Sequence, residues 1–177
     1  MSDVLLRRAD EGDISRMIAV ELDAGQMFRT VGLDAIADEE ADDPETLRAH
    51  LADGTAWVAE RSGAVIGYAV ASIVDGHAHL GQVSVIRAAQ SVGIGRSLIE
   101  QVEHWGREQQ LGSITLTTFV DVRWNAPYYA RLGYEAVPDS ELTPGLAAIR
   151  ANEIADGIDL RPRIAMRKRL TPEKSDV

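Results

Sequence analysis

The stretch AAQSVGIGRSLIE, residues 88–100, sets two glycines two positions apart, Gly93 and Gly95, between an apolar run and an amphipathic one. Glycine costs backbone entropy in any fixed structure, so this turn must need it. Upstream, His77 to Ile86 reads as a strand. Downstream, Ile94, Leu98, Val102 and Trp105 fall on one face of a helix. Strand, glycine turn and helix start together form an anion site. The first amides of a helix have no internal partner, and the helix dipole favours negative charge beside them. Glycines at 93 and 95 let those amides lie against a phosphate.

Two familiar phosphate patterns fail on these residues. A nucleotide P-loop needs Lys-Ser/Thr after its last glycine, whereas Gly95 is followed by Arg96-Ser97 and one residue separates the glycines. A dinucleotide fingerprint needs a third glycine at position 98, which is Leu98. Taken alone, the motif also allows a purely structural turn.

The 177 residues, 45% of them hydrophobic, suffice for one core, and one domain over 1–177 is expected, with a disordered tail at 171–177. There is no cysteine, which excludes a disulfide framework, a zinc knuckle and a cysteine nucleophile. No signal-peptide stretch opens the chain, and no run nears the roughly 18 apolar residues of a membrane span. A cytoplasmic protein without a membrane partner is expected. The formal net charge of −10 repels phosphate backbones, so nucleic acid is not an expected partner, while a cationic small molecule or peptide would be attracted.

Val4 to Arg8 reads as a first strand. Asp13 is placed to cap a helix carrying Ile14, Met17, Ile18 and Leu22. Seven acidic residues crowd Asp34 to Glu45, which reads as a solvated loop or as a lip that gathers a cation; Pro44 then opens a helix over about 45–52. Ala56 to Glu60, Val65 to Val74 and His77 to Ile86 form a meander turned by Ser62-Gly63 and Asp75-Gly76. Beyond the glycine turn come the amphipathic helix, a strand at 113–119, a short helix at 126–132 ended by Gly133, and a strand at 134–137. A helix from Thr143-Pro144 to about Asp156 and a strand from Ile164 to Arg169 complete the reading. The helix at 143–156 is expected either to cover the site or to form a homodimer contact. This α/β (α+β) order predicts a mixed, mostly antiparallel central sheet flanked by helices.

Gln90-Ser91-Val92-Gly93-Ile94-Gly95 resembles the Gln/Arg-x-x-Gly-x-Gly/Ala motif of the GNAT superfamily of N-acetyltransferases. RRADEGDISRMIAVE resembles the family's first strand and helix, and NAPYYARLGYEAV its Tyr-x-x-Leu-Gly-Phe/Tyr signature. The resemblance covers about 4–137; Arg87 departs from it, standing where many members carry proline. It implies acetyl-CoA as co-substrate, with its pyrophosphate on the amides of Gln90, Ser91, Val92, Gly93, Ile94, Gly95 and Arg96. The Arg96 side chain is a further candidate for a phosphate, or else a solvated helix residue. The pantetheine arm is implied to lie beside Val83, Ser84 and Val85.

Acetyl transfer to an amine needs a deprotonated amine, a polarised carbonyl and a protonated leaving thiolate. Tyr129 matches the family tyrosine that in many members lies near the CoA sulfur, and it is the candidate acid; packing is its alternative role. Tyr128 is expected in the core. Asn125 is a candidate for the CoA arm or a helix cap, but it stands four residues before Tyr129, where many members have their asparagine seven before, at the place of Val122. The amide of Val85 is the implied oxyanion donor. For the base, strict strand alternation puts His77 and His79 on the face of Val83 and Val85. His79 is the first candidate and stands where some members carry a glutamate. His77 and Glu21 follow, each with a surface role as its alternative. Metal binding by the two histidines lacks a third ligand. Met27, Phe28 and Trp57 are candidates to line an acceptor pocket, or core residues.

The resulting expectation is an acetyl-CoA-dependent N-acetyltransferase acting directly on an amine of a small molecule or peptide, since no cysteine is there to carry the acyl group. The alternatives are another acyl-CoA donor and a non-catalytic CoA-binding or interaction module.

Overall fold

The computed structural model describes residues 4–171; the part of the expected tail at 172–177 lies outside the described residues. Strand β1 (Val4–Arg8) leads through a 3-10 turn at Glu11–Asp13 into α1 (Ile14–Gly25). A 3-10 segment, Gln26–Val31, precedes the one-turn α2 (Asp34–Ala37) and α3 (Pro44–Asp53). The meander is β2 (Ala56–Arg61), β3 (Ala64–Val74) and β4 (His77–Val85). Then come α4 (Ile94–Glu108), β5 (Ser113–Phe119), α5 (Ala126–Arg131), β6 (Glu135–Val137), α6 (Pro144–Ala155) and β7 (Arg163–Arg169). The strands form a seven-stranded sheet in the order β1-β2-β3-β4-β5-β7-β6. The pairs β1/β2, β2/β3, β5/β7 and β6/β7 are antiparallel, and β4/β5 is parallel. The sheet is mixed and mostly antiparallel, as the element order predicts.

Two compact units divide the chain. One holds the residues up to Ser72 together with Leu80–Val102, the other Ile73–His79 and the residues from Glu103 on. In the first, Ile14, Met17 and Val20 of α1 and Leu47 of α3 pack on Val58, Tyr68 and Val70. In the second, Leu146 of α6 packs with Val137 and Ala165 of β6 and β7. There α6 is tied at its start by Asp75, whose carboxylate accepts the Gly145 amide at 2.7 Å.

Two local expectations need correction. Asp13 stands at the N-cap position of α1 as expected but makes no side-chain cap bond there. The cap bonds lie one turn earlier, at the 3-10 turn, where Asp10 accepts the Gly12 amide at 2.8 Å and Asp13 accepts the Asp10 amide at 2.9 Å, a reciprocal box. Asp13 is also taken by Arg7, whose two terminal nitrogens donate at 2.7 and 2.9 Å and hold the carboxyl below its ordinary pKa.

The second correction concerns the faces of β4. A Cβ built on Gly106 of α4 would lie 3.3 Å from that of Ala78, so Ala78 faces α4. A Cβ on Gly67 would lie 3.2 Å from both Leu98 of α4 and Val85, so Val85 faces α4 as well. Strict alternation puts residues seven apart on opposite faces. The phase breaks at Gly81–Gln82. Gly81 points at Val70 of the α1 core, and Gln82 reaches Glu21 of α1. This is the bulge that a glycine inside a strand often marks. His77 and His79 therefore lie on the face opposite Val83 and Val85.

The acidic stretch is more ordered than a solvated loop. Asp34 and Asp38 pair with Arg29, Asp43 caps α3 through the amides of Glu45 and Thr46, and Glu45 pairs with Arg48.

Candidate functional site

The glycine turn follows β4 as expected. After a 3-10 turn at Arg87–Ala89 the chain passes through two left-handed residues, Ser91 (φ 66) and Gly93 (φ 86), and enters α4. A Cβ on Gly93 would meet nothing within 4 Å, so this glycine is needed for its φ rather than for space. The first i→i−4 bond of the helix runs from Ser97 N–H to the Gly93 carbonyl at 3.0 Å. The amides of Ile94 and Gly95 precede it, at the positively polarised helix end. Val92 is 64% exposed at the crest of the turn. The Gln90 side chain donates back to the Val85 carbonyl at 3.1 Å and fastens the turn to the strand end. The Arg96 guanidinium pairs with Glu100 at 2.8 Å. Geometry and polarity suit a diphosphate group.

Arg87, the departure from the family pattern, uses the amide that a proline would lack. Its N–H donates to Asp23 of α1 at 2.7 Å, and its guanidinium meets the same carboxylate at 3.1 and 3.2 Å. These bonds, the amide's first, hold the Asp23 carboxyl below its ordinary pKa.

Within the same unit, Glu21 is a desolvated carboxylate. It accepts the Tyr68 hydroxyl at 2.7 Å, the Asp42 amide at 3.2 Å and the Gln82 side chain at 3.4 Å. Burial raises its pKa, against the lowering effect of Tyr68. Burial raises Asp42 as well. Gln82 also donates to Ser84 at 3.0 Å, so the Ser84 side chain turns toward α1. Met27 and Phe28 are half-buried in the 3-10 segment, and Trp57 is a core residue with the Arg8 guanidinium 4.4 Å above its ring.

In the second unit, Tyr129 of α5 is 8% exposed, and no hydrogen bond of its hydroxyl is found among the described residues. Burial raises its pKa, helped by Tyr128, so the phenol stays protonated through the neutral range. Its ring meets Tyr128 and Tyr134 edge-on, at 5.7 and 5.6 Å between centroids. Asn125 stands at the start of α5, but its side chain makes no cap bond, and its Oδ1 is buried without a hydrogen-bond partner among the described residues. A buried acceptor left unmade is costly, and a ligand N–H is one way to satisfy it. Val122, at the place of the family's asparagine, is buried.

His79 is 6% exposed, with Nδ1 2.9 Å from Thr115 Oγ1. The Thr115 hydroxyl also reaches the Ala78 carbonyl at 3.3 Å; when it donates there, Nδ1 must carry the hydrogen and Nε2 keeps the lone pair, and the tautomer decides which way the 2.9 Å bond runs. Burial pushes the imidazole pKa down to about 4, against an upward pull from Glu153. His77 is half-buried, with Nδ1 2.9 Å from Ser113 Oγ. Among the described residues no group of histidines and carboxylates could hold a metal ion, and no helix is long and apolar enough to cross a membrane.

Sequence reading missed a buried carboxylate, Glu103 of α4, which binds Tyr134, Lys168 and Arg107. Its signal was faint: a glutamate beside the apolar stripe, with an arginine four residues on.

Comparison with known proteins agrees with this architecture. Residues 21–134 match the acetyltransferase (GNAT) family. The fold is similar to that of N-acetylglutamate synthase from Neisseria gonorrhoeae, crystallised with coenzyme A and N-acetyl-glutamate: 18% identity, TM-score 0.72, over 97% of this chain. This chain spans 36% of that protein's length. It is similar to a GNAT-family acetyltransferase from Staphylococcus aureus Mu50 at 15% identity and TM-score 0.74, over 96% of this chain and 100% of that one. For a ribosomal-protein-alanine N-acetyltransferase from Brucella melitensis the values are 23%, 0.68, 94% and 99%. With the motif, the sheet and a match over residues 21–134 in agreement, the chain belongs to the acetyltransferase (GNAT) family.

Proposed function

We propose that this chain is one N-acetyltransferase domain that moves an acetyl group directly from acetyl-CoA to a primary amine of a small molecule or peptide. The observation that carries the reading is the turn from Gln90 to Gly95, with its left-handed Ser91 and Gly93 and the helix amides behind them. The similar proteins include one named for N-acetylglutamate synthesis and one for a ribosomal-protein alanine, which suits an acceptor amine on an amino acid or a peptide.

Bound acetyl-CoA supplies the thioester. The amides from Gln90 to Arg96 hold the pyrophosphate, and Val83, Ser84 and Val85 line the pantetheine arm. The Val85 amide donates to the developing oxyanion. Asn125 Oδ1 accepts a hydrogen bond from the arm. Tyr129 donates its phenolic proton to the departing sulfur; burial keeps that proton in place until the sulfur gains charge. His79 takes the amine proton at Nε2, directly or through water. A second reading gives that proton to Glu21, because desolvation raises the pKa of this carboxylate and makes it a stronger base than an exposed one.

The test is a thermal melt of the purified protein with acetyl-CoA, with NAD and ATP as controls, followed by a thiol-release screen of primary amines. Acetyl-CoA at a hundred times its Kd adds about 2.7 kcal/mol to the native state. A shift with acetyl-CoA alone and thiol release with an amine are expected. A shift with NAD or ATP only would overturn the donor assignment.

A further inference from the structure

Glu103 is the most buried charged residue among those described, at 3% exposure. Its Oε1 accepts the Tyr134 hydroxyl at 3.0 Å, and Lys168 of β7 donates to both oxygens at 2.9 Å. Arg107, one turn along α4, lies 3.5 Å from Oε2. A buried carboxylate costs several kcal/mol unless it is paired and hydrogen-bonded. Here Lys168 and Arg107 supply the charge pairing, and the one neutral partner is the Tyr134 phenol. The Lys168 ammonium also sits 5.5 Å from the centre of the Tyr134 ring.

The other face of this arrangement is Tyr129. Among the described residues no hydrogen bond is found at its hydroxyl, so packing orients its ring. Two rings meet it edge-on. Tyr128 is half-buried beside Arg131 and is a soft wall. Tyr134 is 2% exposed, crosses Tyr129 at 70° and is fastened at its far end to Glu103. Its amide also donates to the Tyr129 carbonyl at 3.1 Å. The stiff wall is therefore Tyr134, and Glu103 stiffens it.

We propose that Tyr134 and Glu103 are positioning residues that fix where the Tyr129 phenol points. This rests on the reading of Tyr129 as proton donor to the sulfur. Proton delivery is sensitive to displacements near 1 Å, so loosening the wall lowers turnover without weakening donor binding. Phenylalanine stands at this place in the family's Leu-Gly-Phe/Tyr signature, so Tyr134→Phe keeps the ring and the fold while cutting the tie.

The experiment is a double-mutant cycle on turnover, using acetyl-CoA and the amine that gives thiol release in the screen above. Tyr134→Phe is expected to lower kcat about tenfold with KM for acetyl-CoA unchanged, and to cost nothing further in a Tyr129→Phe background. Glu103→Gln, which keeps the shape and loses the charge, acts in the same direction more weakly. A Tyr134→Phe loss that persists in the Tyr129→Phe background overturns the positioning role alone. A Tyr129→Phe variant with full kcat overturns the donor reading and the positioning role with it. A ligand-free measurement runs beside the cycle: in protein carrying ring-labelled tyrosine, the Tyr129 ring flips faster in Tyr134→Phe and Glu103→Gln. Unchanged flipping in both variants overturns the proposal.

Discussion

Tyr129 and His79 show burial acting on two ionisable groups in opposite senses. Burial keeps the phenol protonated and the imidazole neutral, because each uncharged form is the one that a dry site tolerates. For Tyr129 this means a proton always in place. Tyr129→Phe should lower kcat at least tenfold with a smaller change in KM, read by thiol release; an unchanged kcat would remove Tyr129 as the acid. For His79 the consequence is a stability that depends on pH. The unfolded imidazole titrates near 6.5 and the folded one near 4, so the unfolded state binds the extra proton between these values. The contribution is complete above pH 6.5 and is lost as pH falls toward 4. Wild type should therefore lose stability over that window, on the order of 3 kcal/mol at full loss. His79→Gln should flatten this part of the curve in melts taken from pH 7 to 4; parallel curves would show that His79 titrates normally.

Among the elements, helices and hairpins were legible because their signals are local. The turns Ser62-Gly63 and Asp75-Gly76 stand at the ends of β2, β3 and β4, and the 3.6-residue period of Ile94, Leu98 and Val102 gave α4. The phase break in β4 was not read, although Gly81 carried its signal: a lone glycine in an alternating strand. It moved both histidines to the face opposite Val85. The short α2 was missed because an Asp-rich run reads as solvent-facing. What orders it is Arg29, five and nine residues away from its partners Asp34 and Asp38. Glu103 escaped for a similar reason, since its main partner, Lys168, is 65 positions distant. The glycine turn was read correctly as a turn before a helix. Its shape gives a prediction. Gly93→Ala puts an L-residue at φ 86 in open space, so the cost falls on the turn's conformation and not on packing. The acetyl-CoA Kd should rise about tenfold, corresponding to 1–2 kcal/mol of left-handed strain, while Tm in the absence of ligand falls by only a few degrees. Calorimetric titration with acetyl-CoA checks this, and equal affinity would show that the turn does not hold the donor.

At the scale of the molecule, each compact unit builds its polar interior in the same way, a desolvated glutamate receiving a buried tyrosine hydroxyl: Glu21 with Tyr68 in one, Glu103 with Tyr134 in the other. None of these pairings is visible as a motif, because each joins residues at least 31 positions apart. The same long-range logic applies to Arg87. Its backbone is already shaped for proline: it opens a 3-10 turn, and Ile86 before it lies at φ −54, ψ 145, a conformation that a following proline favours. A protein engineer who averages the family would write proline there and expect a more robust enzyme. In this chain that choice deletes the amide bond to Asp23 and both side-chain bonds. Arg87→Pro should lower stability by about 1–3 kcal/mol in urea melts, against the gain that a proline gives at a neutral site. The commonest residue of a lineage is a poor guide wherever one member has put its backbone to other use.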